Sequence, residues 1–212
     1  MDVAAGPGAT ARLFAADYDV TVDGVELGEA GVRRARALTA EAGLAAKVRF
    51  HVGDAERIPL PAGVFDAAVR ECAFCTFPDK TATAGEFARV LRPGGRVGIT
   101  DVTVAEGGLP KELTTLAAWV ACIADARPLA EYAAILDRTR VAHDPHRGPR
   151  RGFAADDRRD RARLRLLRMT APERLCEVGV DVGAVSSYLA LAKQAVADGQ
   201  LGYALLVAQK PS

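Results

Sequence analysis

Over its first 104 residues the chain switches repeatedly between short apolar runs and helical spacing, and that alternation admits few folds. Val20, Val22 and Val25 read as a strand closed by Glu26. Ala30 to Ala42 reads as a helix on Val32, Ala35, Leu38 and Ala42, with Gly43 just past its end. Val48, Phe50 and Val52 form the next strand, and Phe65 to Cys72 another. Ala82 to Leu91 is a helix closed by Arg92-Pro93-Gly94-Gly95, and Arg96 to Val102 is a further strand. Strands separated by helical crossovers predict a parallel, doubly wound α/β sheet. Ahead of them all, Asp2-Val3 runs straight into the turn Gly6-Pro7-Gly8, with a helix starting at about Ala9.

Beyond Leu109-Pro110 the rhythm changes. Leu113 to Ala126, Leu129 to Arg138, Leu164 to Met169 and Val185 to Ala197 have helical character, and Tyr203 to Ala208 is a closing strand. Thr139 to Arg163 is crowded with arginine, aspartate, proline and histidine and lacks apolar periodicity. Three readings stand for it: a solvated loop, an anion-binding segment diluted by Asp144, Asp156, Asp157 and Asp160, or a local frame change in a GC-rich gene. At 212 residues the chain is expected to form one domain, 1–212. Residues 1–104 would be its ligand-binding core, 105–200 a helical substrate-side region with irregular 139–163, and 201–210 the final strand.

Half the residues are hydrophobic, with alanine, valine and leucine outnumbering aromatics, which suits helices packed on a sheet. A net charge of +1 gives no global attraction to nucleic acid or anionic membrane. No apolar run approaches a membrane span and no signal-peptide pattern opens the chain. Cys72, Cys75, Cys122 and Cys176 are too few and scattered for a disulfide scaffold, so a reduced, cytoplasmic protein is expected.

The turn Gly6-Pro7-Gly8, with Ala11, satisfies the loose fingerprint G-x-G-x-x-G/A, which alone does not separate one nucleotide from another. Glu26 ends the next strand at the usual distance of about 20 residues, where a carboxylate accepts ribose hydroxyls. Gly53-Asp54-Ala55-Glu56 puts a further acid at the end of the third strand, where Asp54 suits an adenine N–H and the Ala55 amide a ring nitrogen. A nicotinamide-dependent oxidoreductase fits less well, since no Tyr-x-x-x-Lys set is present. A base-modifying enzyme fits less well too, since no Asn-Pro-Pro-Tyr-like motif follows the fourth strand.

Asp2-Val3-Ala4-Ala5-Gly6-Pro7-Gly8, Gly24-Val25-Glu26-Leu27, Gly53-Asp54-Ala55-Glu56 and Arg89-Val90-Leu91-Arg92-Pro93-Gly94-Gly95 together resemble the class I S-adenosylmethionine-dependent methyltransferases. The likeness covers residues 1 to about 104 and the final strand, Leu201 to Lys210. It is greatest to the small-molecule group that includes ubiquinone/menaquinone-biosynthesis and arsenite methyltransferases. The resemblance implies a mostly parallel, seven-stranded Rossmann-like sheet with helices on both faces and a first strand that is truncated here. It implies S-adenosyl-L-methionine as cofactor and a small-molecule acceptor, with neither nucleic acid nor membrane as partner and no metal. Asp2, Ala4, Gly6 and Gly8 would lie against the methionine portion, Glu26 and Leu27 at the ribose, Asp54 and Ala55 at the adenine, and Glu71 and Cys72 on the floor. Ala4 departs from the glycine many members carry, a mild change.

The helices that precede the first strand in the family help to cover its site. Their absence here predicts a more open pocket, weak cofactor binding, and either an upstream start or a degenerate chain without activity. Methyl transfer demands no dedicated catalytic side chain, so none is assigned. Cys72 and Cys75 stand as substrate-side candidates, since thiolates there suit a soft metalloid, against the competing reading of small buried cysteines. Trp119 and Tyr132 either shape an acceptor pocket or pack. His51 is structural, and His143 and His146 resemble a metal pair only in spacing.

Overall fold

A computed structural model describes residues 1–109, 113, 125–139, 141–143 and 182–212. Trp119, Cys122, His146, Cys176, the expected helix at 164–169 and most of 139–163 lie outside the described residues.

Strand β1, Asp2–Val3, leads through the glycine turn into helix α1, Ala9–Asp17; β2, Val22–Glu26, leads into α2, Glu29–Glu41. Then follow β3 (Val48–Val52), β4 (Phe65–Glu71), a single 3₁₀ turn at Phe74–Thr76, α3 (Lys80–Val90) and β5 (Leu91–Val104). Helix α4 spans Leu129–Arg138, β6 Ala142–His143, α5 Val182–Ala197 and β7 Leu201–Gln209. The strands join in one sheet of order β3-β2-β1-β4-β5-β7-β6, in which β1 through β5 run parallel and β7 is antiparallel to both its neighbours. The order reverses at β1, so β1 and β4 carry the chain in opposite directions across the sheet. At such a switch point the loops part and leave a crevice at the strands' carboxyl ends.

Alternate strand residues serve opposite faces. Val3, Val25, Ala68, Val97 and Ile99 pack with Phe74, Phe87, Tyr132 and Leu136, under α3 and α4. Val22, Val48 and Phe50 pack with Ala11, Ala15, Val32 and Ala35, under α1 and α2. Sheet and helix burial on both faces is the doubly wound arrangement that the alternating sequence periods require.

Most observed boundaries move by up to three residues from those read in sequence, with two larger differences. Arg92-Pro93-Gly94-Gly95 is not a separate turn but the start of a long β5. Gly94, at φ +74°, donates its N–H to the Lys210 carbonyl at 3.0 Å, and Lys210 donates back to Gly95 at 2.9 Å. A Cβ on Gly95 would meet the Arg92 carbonyl at 2.9 Å and the Phe65 carbonyl at 3.1 Å, so the close approach of β5's start to β4 needs glycine. The expected helix ending at Ala126 also differs, because Asp125 and Ala126 are not helical and Arg127 bridges to Thr103. Tyr132 is fully buried, and its hydroxyl donates to the Val102 carbonyl at 3.3 Å and accepts the Arg127 amide at 3.0 Å. Its packing role is the one the structure bears out. His51 likewise belongs to the frame, its Nε2 lying 2.7 Å from Asp23. Among the described residues, no helix is long and apolar enough to cross a membrane.

Candidate functional site

The crevice is built outward from the turn after β1. Gly8 holds φ +76° as the residue before α1, and a Cβ on it would fall 2.3 Å from the Phe50 ring. Gly24, next door on β2, meets the same ring at 2.5 Å. These two glycines therefore serve packing, by letting β3's phenylalanine slide beneath the turn. Gly6 is different. It too has positive φ, +52°, yet a Cβ there would meet nothing within 4 Å, so it faces open space. Of the turn's glycines, Gly6 is the one whose bare backbone is presented outward.

Glu26 closes the crevice's near wall. Its Oε2 accepts the Gly6 amide at 2.9 Å and its Oε1 the Gly28 amide at 3.1 Å. One carboxylate thus clamps the glycine turn to the start of α2. Each carboxylate oxygen retains further lone pairs, so two hydroxyl donors can still be accepted. β3 lies in register beside β2, with Val52 opposite Glu26, and the Gly53 amide donates to the Glu26 carbonyl at 3.0 Å. Asp54 is consequently delivered to the same edge. It is exposed, its Oδ1 accepting the Glu56 amide at 2.9 Å, while Ala55 beneath it is buried. Glu56 in turn accepts the Asp79 amide at 2.7 Å, which anchors this loop to the start of α3. Leu27 is 70% exposed, an apolar side chain left in solvent beside two acids.

Asp2 sits at the base. It is 2% exposed, and its Oδ2 has no protein partner. Burial raises its pKa to about 6, against the opposing pull of the Met1 ammonium, Arg70 and the Ala11 amide. Ala4 adopts φ +51°, a left-handed conformation that costs a residue with a Cβ about 1–2 kcal/mol. The glycine-to-alanine departure read from sequence as mild is therefore a strained one.

On the far side, Glu71 ends β4 and its Oε2 accepts the Thr10 hydroxyl at 2.7 Å, tying β4 to the first turn of α1. Cys72 follows at φ +50°, its amide bonded to the Thr100 carbonyl at 2.8 Å. Cys75 is buried, and its amide donates to Asp101 at 3.0 Å. Beneath both lies Arg70, 2% exposed, with its guanidinium 5.3 Å above the Phe77 ring and a bond to the Glu71 carbonyl. Arg70 and Asp101 escaped sequence reading because a charged residue within a strand carries no motif by itself. Cys75 is thus a packed cysteine, whereas Cys72, just past β4, is half-buried. Among the described residues no cluster of histidine, cysteine or carboxylate side chains could hold a metal.

A switch-point crevice with a glycine turn, a carboxylate clamp and an acid on the third strand defines a nucleotide-type site. Residues 1–99, just under half of the chain, match the family model for a methyltransferase domain, and that part of the chain is similar to the class I S-adenosylmethionine-dependent methyltransferases. Its relatives include the nocamycin O-methyltransferase of Saccharothrix syringae, 40% identical over 104 residues, which are 47% of this chain and 36% of that one. The chain spans about a quarter to a half of the length of the curated relatives it matches. Two solved structures share the fold. One, described as a sarcosine dimethylglycine methyltransferase from Galdieria sulphuraria, gives a TM-score of 0.82 at 21% identity, covering 99% of this chain and 77% of that one. The other, the [4+2]-cyclase SpnF, gives 0.72 at 23% identity, covering 99% and 73%.

Proposed function

We propose that this chain binds S-adenosyl-L-methionine in the crevice and transfers its methyl group to a small-molecule acceptor. The observation that carries the reading is the Glu26 carboxylate bridging the Gly6 and Gly28 amides, because it brings turn and acid to one edge. Two features fit such a ligand: open space above Gly6, and the buried, unpartnered Oδ2 of Asp2, an acceptor awaiting a donor. In this reading Asp2, Ala4, Gly6 and Gly8 flank the methionine portion. Glu26 takes the ribose hydroxyls with Leu27 beside them, Asp54 and Ala55 take the adenine, and Glu71 and Cys72 form the floor.

The bound sulfonium supplies an electrophilic methyl group that needs no further activation. The chain's own residues have to orient it, hold the acceptor in line and keep water out, which is mainly positioning. Within the reading the sheet counts as seven-stranded with a shortened β1, residues 1–104 form the cofactor core, 105–200 the acceptor side, and 201–210 the last strand. The setting in this reading is reducing and cytoplasmic, in keeping with four scattered cysteines in 212 residues. The acceptor is taken to be neither nucleic acid nor membrane lipid.

Calorimetry with S-adenosylhomocysteine tests the first step. The expected dissociation constant is on the order of 1 mM, a free energy of about −4 kcal/mol. Glu26→Gln should weaken it about tenfold. Equal affinity of wild type and variant would overturn the assignment of the crevice.

A further inference from the structure

The loop that carries Asp54 and Ala55 is pinned where it enters and where it leaves. At its entry the Gly53 amide donates to the Glu26 carbonyl, and a Cβ on Gly53 would fall 2.5 Å from Pro59, so the returning chain packs directly on the glycine. Between these points Asp54 closes a turn: its carbonyl accepts the Arg57 amide at 3.1 Å and its side chain the Glu56 amide. The exit is Ile58, 3% exposed, whose side chain joins the core cluster that includes Phe87 and Val90 of α3. A main chain buried there needs a donor and an acceptor to answer it.

Both come from one ion pair. Glu86 and Arg89 stand three residues apart on α3 and so share a helix face. Glu86 Oε2 accepts the Ile58 amide at 2.6 Å, and Arg89 Nη2 donates to the Ile58 carbonyl at 2.8 Å. Arg89 Nη1 donates to the Leu60 carbonyl at 2.9 Å. The two side chains also lock each other, Nε to Oε1 and Nη2 to Oε2, each at 2.7 Å. Arg89's hydrogen bond holds the Glu86 carboxyl below the usual carboxylate range, so the pair stays charged at neutral pH. A carboxylate and a guanidinium thus stand in for a strand beside Ile58. Lysine at 89 would keep the charge but lose the planar fork.

We propose that Glu86 and Arg89 are positioning residues for base recognition: by fixing the Ile58 main chain they hold the turn at 54–57 so that the Asp54 carboxylate and the Ala55 amide meet the Watson–Crick edge of an adenine. The proposal rests on the reading of the crevice as an S-adenosyl site and adds to it two residues that need not touch the ligand. Adenine offers a donor at its exocyclic nitrogen and an acceptor at the adjacent ring nitrogen. Hypoxanthine offers the reverse, a carbonyl and a ring N–H. A turn held still pairs with the first and leaves its own groups unpaired against the second. A turn free to shift by about 1 Å loses that distinction.

The test compares S-adenosylhomocysteine with S-inosylhomocysteine on the full chain, by amide chemical-shift titration. Wild type should prefer the adenine ligand about tenfold. Arg89→Lys should cut that preference to about threefold or less, chiefly by weakening the adenine ligand. Without ligand, the same variant should speed amide exchange across 54–58 at least about tenfold. Lys210 supplies the control, since its ammonium donates to the Ala88 and Leu91 carbonyls at 2.7 Å and so secures the end of the same helix. Lys210→Met should lower the urea midpoint and leave both the preference and the 54–58 exchange unchanged. Glu86→Gln keeps an acceptor for the Ile58 amide without the charge; it should shift both quantities as Arg89→Lys does, and it decides the matter if Arg89→Lys does not fold. An unchanged preference in a variant whose 54–58 exchange has quickened would overturn the positioning role and leave the crevice reading intact. So would unchanged exchange in both variants, or a preference lost equally in Lys210→Met. A wild type that binds neither ligand, or both equally, would overturn the placing of adenine at this loop and the positioning role with it.

Discussion

The two ends of this sheet are made by the same strands and treat their backbone in opposite ways. At the carboxyl edge, backbone donors in the turns after β1, β2 and β4 are answered by side chains: Glu26 takes the Gly6 and Gly28 amides and Asp101 the Cys75 amide. At the amino edge of β5, the Gly94 and Lys210 amides are answered by main chain instead, by the carbonyls of Lys210 and Gly95. The lesson is that a polar site is finished by local side chains, whereas the start of a strand beside another segment is finished by backbone. Charge reaches across a loop, but strand pairing needs a chain of the right length and direction.

The largest effect separates packing from presentation within the glycine turn. Gly8→Ala forces a Cβ into Phe50 and a left-handed backbone on alanine, and should cost about 3 kcal/mol in urea unfolding. Gly6→Ala carries only the backbone term and should cost about 1 kcal/mol, but should depress S-adenosylhomocysteine binding more than Gly8→Ala depresses it per unit of stability lost. Equal losses of stability would mean that the turn is not divided in this way.

Next comes the acid at the base. Because Asp2 titrates near 6 in the folded chain and near 3.8 unfolded, the folded form holds its proton more tightly. Its contribution is therefore present in full below pH 3.8 and is lost as pH rises through 6. Asp2→Asn removes that loss, so its stability relative to wild type should improve between pH 4 and 7 by about 1–3 kcal/mol. Parallel pH profiles for the two chains would show that burial does not govern this carboxyl.

Smaller still, Glu26→Ala leaves the Gly6 and Gly28 amides to water and should cost about 1–2 kcal/mol, measured by urea unfolding, because the site is half-exposed. The smallest change is a gain. Ala4→Gly relieves the left-handed strain at a cost in unfolded-chain freedom, for a net stabilisation of about 0.5 kcal/mol in the thermal unfolding midpoint. A loss of stability there would mean that Ala4 is held by contacts stronger than its backbone strain.

Much of the site was legible because its parts are local. Glu26 and Asp54 were picked out as acids ending consecutive strands, and parallel register then puts Val52 beside Glu26 and Asp54 just beyond. Gly6 and Gly8 were picked out together, yet their division of labour was hidden, since Phe50 lies over 40 residues away and only packing brings it under Gly8. Arg70 and Asp101 were invisible for a similar reason: a charge within a strand has no pattern of its own, and the meaning of these two comes from the Phe77 ring and the Cys75 amide. The strain at Ala4 could not be read either, because a dihedral angle is not a residue type.

Periodicity and punctuation by themselves determined the doubly wound sheet, the order of its elements and the edge at which a ligand would sit. These follow from near-neighbour chemistry: period, turn residues and the acid that ends each strand. Only the folded chain decided which glycine is bare and which is packed, and which carboxyl loses its water. Those outcomes depend on distances between residues far apart in sequence, set by how the helices and strands pack.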